Sequence, residues 1–100
     1  TNTTLDRSIV SETHRDRVKA WGEGGLSGAP LYAKARAVRN RILQRMPPTM
    51  IFQACGGIGS LEQVREALSD GAHLVQIYSA LIFQGPGLVS SLNRGLISLP

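Results

Sequence analysis

Residues 51–60 read IFQACGGIGS. A short apolar run that ends in two glycines is typical of a buried strand that turns directly into a helix. Residues 73–79, HLVQIYS, have the same form and follow after one helical pattern. Strands joined through a helix run parallel, so their carboxyl ends lie side by side at one sheet edge. These two stretches therefore predict strands at about 49–55 and 73–78, in an α/β unit with small residues at that edge.

The ends of the two predicted strands indicate a binding site for a phosphate group. Gly57 closes the first strand, and Tyr78 and Ser79 close the second. A glycine lets backbone N–H groups approach an anion, and the helix start that follows adds partial positive charge. In (β/α)₈ barrels such a site forms after strands 7 and 8 with a short extra helix, for which residues 80–83 are suited. The alternative is a tight turn that binds nothing.

The remaining pattern predicts helices on both sides of these strands. Ser60 with Gln63 forms a capping-box pattern, and Gly71 suits a helix C-terminus. Pro30 fits a first helical turn, and apolar side chains recur behind it at helical spacing. We expect helices at about 30–44, 60–71 and 86–96, and a long loop at about 5–23 with no more than a helical turn at 11–20. Alternation of strands and helices implies a parallel sheet, to which residues 1–4 would add the end of a further strand.

Composition excludes several classes of function. The net charge is +4, but the basic residues are spread along the chain, without aromatic side chains between them. A solvated helix surface is therefore favoured over a nucleic-acid site. No apolar run reaches the length of a membrane span. No cluster has metal-ligand spacing, and no nucleophile–base pair is recognisable. Cys55 is expected to be a small buried hydrophobe.

Two polar stretches precede the strands and leave their roles open. Residues 1–4, TNTT, offer side-chain donors and acceptors that suit either a ligand or a turn. Residues 24–30, GGLSGAP, require unusual backbone angles or a close approach of another group.

Five motifs in one order resemble a known family. They are TNTT at 1–4, GGLSG-x-PL at 24–31, GGI at 56–58, GA-x-LVQIYS at 71–79 and F-x-GP at 83–86. Over nearly its whole length the chain resembles the C-terminal part of class 2, quinone-linked dihydroorotate dehydrogenases. The resemblance implies an α/β fold: the C-terminal portion of a (β/α)₈ TIM barrel, from the end of strand 6 through helix 8. Residues 1–100 would form one partial barrel domain.

The same resemblance implies a site for flavin mononucleotide, FMN, and for the pyrimidine substrate. Positions that match cofactor-binding residues are Thr1, Gly28, Gly57, Tyr78 and Ser79. In the family, the glycine at Gly57 and the Tyr-Ser pair hold the FMN phosphate, while Thr1 and Gly28 contact the flavin. Positions that match substrate-binding residues are Asn2 and Thr3.

The implied reaction is oxidation of dihydroorotate to orotate in pyrimidine biosynthesis, with FMN passing electrons to a quinone. The family's catalytic serine lies upstream of this chain, so the isolated 100 residues are expected to be inactive. An N-terminal region, also upstream, would contact the quinone and the membrane. That membrane would be the bacterial inner membrane on its cytoplasmic side or the mitochondrial inner membrane.

Two other functions remain open on the sequence. One is another flavin- or phosphate-binding barrel, such as a dihydrouridine synthase or a dihydropyrimidine dehydrogenase. TNTT and GGLSG argue against it, because only the phosphate motif is widely shared. The other is a free-standing, non-catalytic phosphate-binding or interaction module. A soluble monomer that unfolds cooperatively would favour that module, because a partial barrel leaves strand edges and apolar faces uncovered.

Overall fold

The computed structural model describes residues 2–98, which form a mixed arrangement of helices and strands. The order is α1 (Glu12–Ala20), α2 (Tyr32–Leu43), β1 (Gln53–Cys55), α3 (Leu61–Ser69), β2 (Leu74–Gln76), α4 (Ser79–Gln84) and α5 (Leu88–Ile97). Short 3₁₀ turns at Arg7–Ile9 and Ala29–Leu31 precede α1 and α2. The prediction of a long loop at 5–23 was wrong, because Glu12–Ala20 form a complete helix of nine residues. No helix between residues 2 and 98 is long and apolar enough to span a membrane.

The two strands pair in parallel, as the sequence predicts. Ala54 of β1 lies opposite Val75 of β2. Both strands are shorter than the predicted 49–55 and 73–78, because only three residues of each strand pair with the other. Residues 2–4 were expected to end a further parallel strand, and within 2–98 they do not join this sheet. Thr4 instead bridges antiparallel to Leu26, with N···O distances of 3.0 and 2.8 Å.

Helix α3 connects the strands and carries the predicted caps. The Ser60 hydroxyl accepts from the Gln63 N–H at 3.2 Å, and the Gln63 side chain accepts from the Gly59 N–H at 2.8 Å. At the other end, the Gly71 N–H donates to Leu68 and the Ala72 N–H donates to Ala67. This pair of bonds is a Schellman motif, which directs the chain into β2.

The apolar core lies between the sheet and helices α3 and α5. Its buried members are Ala54, Ile58, Val64, Ala67, Ala72, Leu88 and Leu92. Helical periodicity predicts the buried faces of the helices, but the apolar stripes of α2 and α5 also include Ile42 and Val89, each of which is 47% exposed. Which residues at the margin of an apolar face are buried depends on contacts with neighbouring elements, and periodicity gives no information about those contacts.

Helix α2 contradicts the expectation that its basic residues all face solvent. Arg39 is only 3% exposed, and its Nη2 donates to the Asp70 carboxylate at 2.8 Å. Arg36 also pairs with Asp70, through Nε at 2.9 Å. Asp70 caps the C-terminus of α3, so the two arginines join α2 to α3. The prediction was wrong for Arg39 because the carboxylate that compensates its burial is 31 residues away in the sequence.

Candidate functional site

A cleft of about 500 Å³ lies at the carboxyl ends of β1 and β2. Most of the predicted site residues line it together, although they come from four separate segments. They are Asn2, Gly28, Gly57, Tyr78 and Ser79. Parallel strands produce this result, because their carboxyl ends meet at the same sheet edge.

The cleft is well supplied with backbone hydrogen-bond donors. Gly57 and Ile58 line it after β1, and Ser79 and Ala80 line it after β2. Within residues 2–98, none of these four N–H groups donates to a backbone acceptor outside the regular helices and strands. Two of them belong to the glycine turn before α3 and two to the first turn of α4. Such groups are suited to an anion with several oxygens, such as a phosphate monoester.

No Asp, Glu, Lys, Arg or His lies among the described lining residues of the cleft. Among the described residues, the electrostatic field in the cleft therefore comes from the partial charges of peptide and hydroxyl groups. Asp6 and Asp70, the carboxyl groups with lowered pKa values, lie outside the cleft. The Lys34 ammonium lowers the pKa of Asp6. Hydrogen bonds from Arg36 make the largest contribution to lowering the pKa of Asp70 to about 2. The cleft can bind and orient an anion, and its described residues include no charged acid or base for proton transfer.

Gly57 is required by a contact that the sequence does not reveal. Its φ is 72°, and a Cβ at this position would lie 2.5 Å from the Tyr32 nitrogen and 2.9 Å from the Gly28 oxygen. The glycine turn after β1 is thus packed directly on the backbone that leads into α2. A side chain at Gly57 would push these two segments apart, in addition to any effect on a ligand.

The loop before α2 also meets the loop after β2. Ser27 Oγ lies 2.9 Å from Ser79 Oγ, and Gly28, with φ 89°, lies beside the same serine. Ser27 lines the cleft but was not among the predicted site residues. A small hydroxyl side chain between glycines at 24–30 was the available signal. A side chain of this size lets the loop come close enough to another hydroxyl group to form a hydrogen bond.

Asn2 and Thr3 are neighbours in the sequence but lie in different surroundings. Asn2 lines the cleft, and its Oδ1 accepts from the Cys55 thiol at 3.3 Å. Cys55 is half-buried and lines the cleft, so it is less enclosed than predicted. Thr3 is not among the lining residues; its side chain lies over Gly25, where a Cβ would come within 2.5 Å of Thr3 Oγ1. The predicted flavin contact at Thr1 lies outside the described residues.

The chain is similar to known proteins over nearly its whole length. The sequence profile of the family described as dihydroorotate dehydrogenase matches residues 1–99. Two curated relatives named dihydroorotate dehydrogenase (quinone) are similar over 98 residues: that of Rhizobium meliloti (strain 1021) at 44% identity and that of Rhizobium etli at 41%. These alignments cover 98% of this chain and 26% of each relative. The chain thus spans about a quarter of their length.

A solved structure shows the same likeness in three dimensions. The crystal structure of DHODH from Eimeria tenella in complex with ferulenol matches all of this chain and 30% of its own, with a TM-score of 0.71 and 28% identity. The predicted α/β fold, part of a (β/α)₈ barrel, is confirmed by this match. The family profile, the curated relatives and the solved structure all lead to one conclusion: this chain belongs to the dihydroorotate dehydrogenase family.

Proposed function

We propose that this chain is part of an FMN-dependent dihydroorotate dehydrogenase that oxidises dihydroorotate to orotate and delivers electrons to a quinone. The observation that carries the proposal is the cleft at residues 56–60 and 78–80, which two strand ends line together and whose described lining residues include no charged side chain. The names of the relatives support the dehydrogenase and its quinone acceptor.

In this proposal the cleft holds the phosphate end of FMN. The N–H groups at Gly57 and Ser79 and the Ser79 hydroxyl donate to phosphate oxygens, and the exposed Tyr78 lies at the cleft. Gly28 contacts the flavin, because its lack of a side chain permits close approach. The free donors, two nearby hydroxyl groups and a volume of about 500 Å³ are compatible with such a group.

Bound FMN would supply the hydride acceptor for dihydroorotate and the electron donor for the quinone. The residues of this chain would bind and orient the reactants, with Asn2 and Thr3 hydrogen-bonding the pyrimidine. The catalytic serine, the quinone site and the membrane contact belong, in this proposal, to parts of the polypeptide outside these 100 residues. Thr1 is kept as a proposed flavin contact.

The visible absorption spectrum of the protein, purified after expression from its complete reading frame, tests this function. We expect a flavin spectrum that bleaches when dihydroorotate is added without oxygen and that returns when a quinone is added. A bound flavin that dihydroorotate does not bleach would indicate another flavin enzyme. A colourless, folded protein would refute the FMN assignment and favour a non-catalytic phosphate-binding module.

Asn2→Ala tests the substrate contact separately from the cofactor contact. Removal of the amide should raise the KM for dihydroorotate about tenfold or more, which corresponds to one hydrogen bond of about 1.4 kcal/mol, while flavin content stays near that of the wild type. Steady-state kinetics and the ratio of flavin to protein absorbance provide the measurement. Loss of the flavin with an unchanged KM would show that Asn2 acts on the cofactor instead.

A further inference from the structure

A group of ionic and polar side chains outside the cleft lining joins α2 to α3. We call it the α2–α3 network; its members are Tyr32, Arg36, Arg39, Glu66 and Asp70. Arg36 donates to Glu66 at 2.6 Å and binds Asp70 with two nitrogens, at 2.9 and 3.1 Å. Arg39 donates to Asp70 at 2.8 Å, and the Tyr32 hydroxyl donates to Glu66.

Two properties make this network stiffer than an ordinary surface ion pair. A two-point contact between a guanidinium and a carboxylate fixes direction as well as distance. Arg39 is almost completely enclosed by the protein, so water cannot replace its carboxylate partner easily. Burial, and after it the Glu66 carboxylate, raises the pKa of Tyr32, so the phenol keeps its proton and donates to Glu66 at neutral pH.

Tyr32 extends from this network to the wall of the cleft. Its hydroxyl is held by Glu66 of α3, while its backbone nitrogen forms the contact that excludes a Cβ at Gly57. The turn that leads into it starts at Gly28, whose oxygen accepts from the Leu31 N–H at 2.9 Å. Gly28 and Gly57 both line the cleft. The position of Tyr32 therefore decides how closely these two glycine segments approach each other.

We propose that the α2–α3 network acts through Tyr32 to hold the 27–32 segment against Gly57, and that it thereby sets the affinity of the cleft for the phosphate end of its ligand. Tyr32 and Glu66 are in this sense positioning residues, because neither side chain lines the cleft. The inference rests on the proposed FMN site. It adds that side chains of two helices, outside that site, control the spacing of its phosphate donors.

The test compares two flavins that differ only in the phosphate. Tyr32→Phe is made in the protein expressed from its complete reading frame, and the dissociation constants of FMN and riboflavin are measured by fluorescence quenching after the flavin is removed. We expect affinity for FMN to fall about tenfold and affinity for riboflavin to change less than twofold. A parallel loss of both affinities, or no loss of either, would show that Tyr32 has only a structural role.

Three further measurements separate the possible failures. Glu66→Gln keeps an oxygen acceptor for Tyr32 and should stay within about threefold of the wild type for FMN, whereas Glu66→Ala should resemble Tyr32→Phe. If Glu66→Gln and Glu66→Ala bind FMN equally, the network does not act through this bond.

Lys34→Gln removes another contact of α2, to Asp6 at 2.8 Å, and should leave the ratio of the two affinities unchanged. A wild-type protein that binds neither flavin would refute the proposed function itself.

Discussion

Gly57→Ala is expected to destabilise the protein by about 3 kcal/mol or more and to remove most of the flavin that we propose for the cleft. The added Cβ would lie 2.5 Å from the Tyr32 nitrogen and 2.7 Å from the Tyr32 Cα. Backbone atoms cannot rotate away as a flexible side chain can, so the glycine turn or the start of α2 has to move. Urea unfolding and the ratio of flavin to protein absorbance would measure the two effects.

Two control substitutions separate the clash from the other effects of removing a glycine. Gly22 has φ 85°, and a Cβ added there would have nothing within 4 Å, so Gly22→Ala should show only the backbone cost of about 1 kcal/mol. Gly87 has neither a positive φ nor a neighbour within 4 Å, and Gly87→Ala should be nearly neutral. If Gly57→Ala costs no more than Gly22→Ala, the packing of the turn on α2 is not as tight as described.

Asp70→Ala is expected to be the second most damaging change, at about 3 kcal/mol. Arg39 would keep its charge at 3% exposure but lose the carboxylate that compensates it, and Arg36 would lose both of its bonds to Asp70. Asp16→Ala on the exposed face of α1 is the matched control and should change the free energy of unfolding by less than about 0.5 kcal/mol. Equal effects of the two substitutions would contradict a structural role for Asp70.

The same residue should contribute to the pH dependence of stability. Hydrogen bonds from Arg36, and then from Arg39, lower the pKa of Asp70 from 3.8 to about 2. A lowered pKa stabilises the folded protein above the unfolded-state value, and this stabilisation is lost as the pH falls from about 4 to about 2. The difference in free energy of unfolding between the wild type and Asp70→Asn should therefore shrink across this range. A constant difference would show that the Asp70 charge does not matter.

Local sequence signals predicted the framework of the fold well. Ser60 and Gly71 cap α3 as expected, because caps depend on residues within a few positions of one another. The two parallel strands and the short helix α4 follow from an apolar run and a glycine break for the same reason. The cleft at the strand ends then follows from topology, since parallel strands joined through a helix place their carboxyl ends together.

Contacts between distant segments were not predictable in this way. The burial of Arg39 depends on Asp70, and the place of Ser27 in the cleft depends on Ser79, which is 52 positions away. Gly57 was predicted to contact a phosphate, but its approach to Tyr32 depends on how α2 packs, which the sequence does not show. Residue type and spacing do not show which distant residues come into contact. Each of these contacts became visible only when both segments were placed in space.

The sequence separation of the contacts also bears on the order in which they form. Closing a loop costs conformational entropy that increases with loop length. Phe52 and His73, which are bonded at the start of the sheet, are 21 positions apart, whereas Ser27 and Ser79 are 52 apart. The β1–α3–β2 unit can therefore assemble early from nearby parts of the chain. We expect the cleft to be completed later, when the 24–30 loop, which is farther away in the sequence, packs against the strand ends.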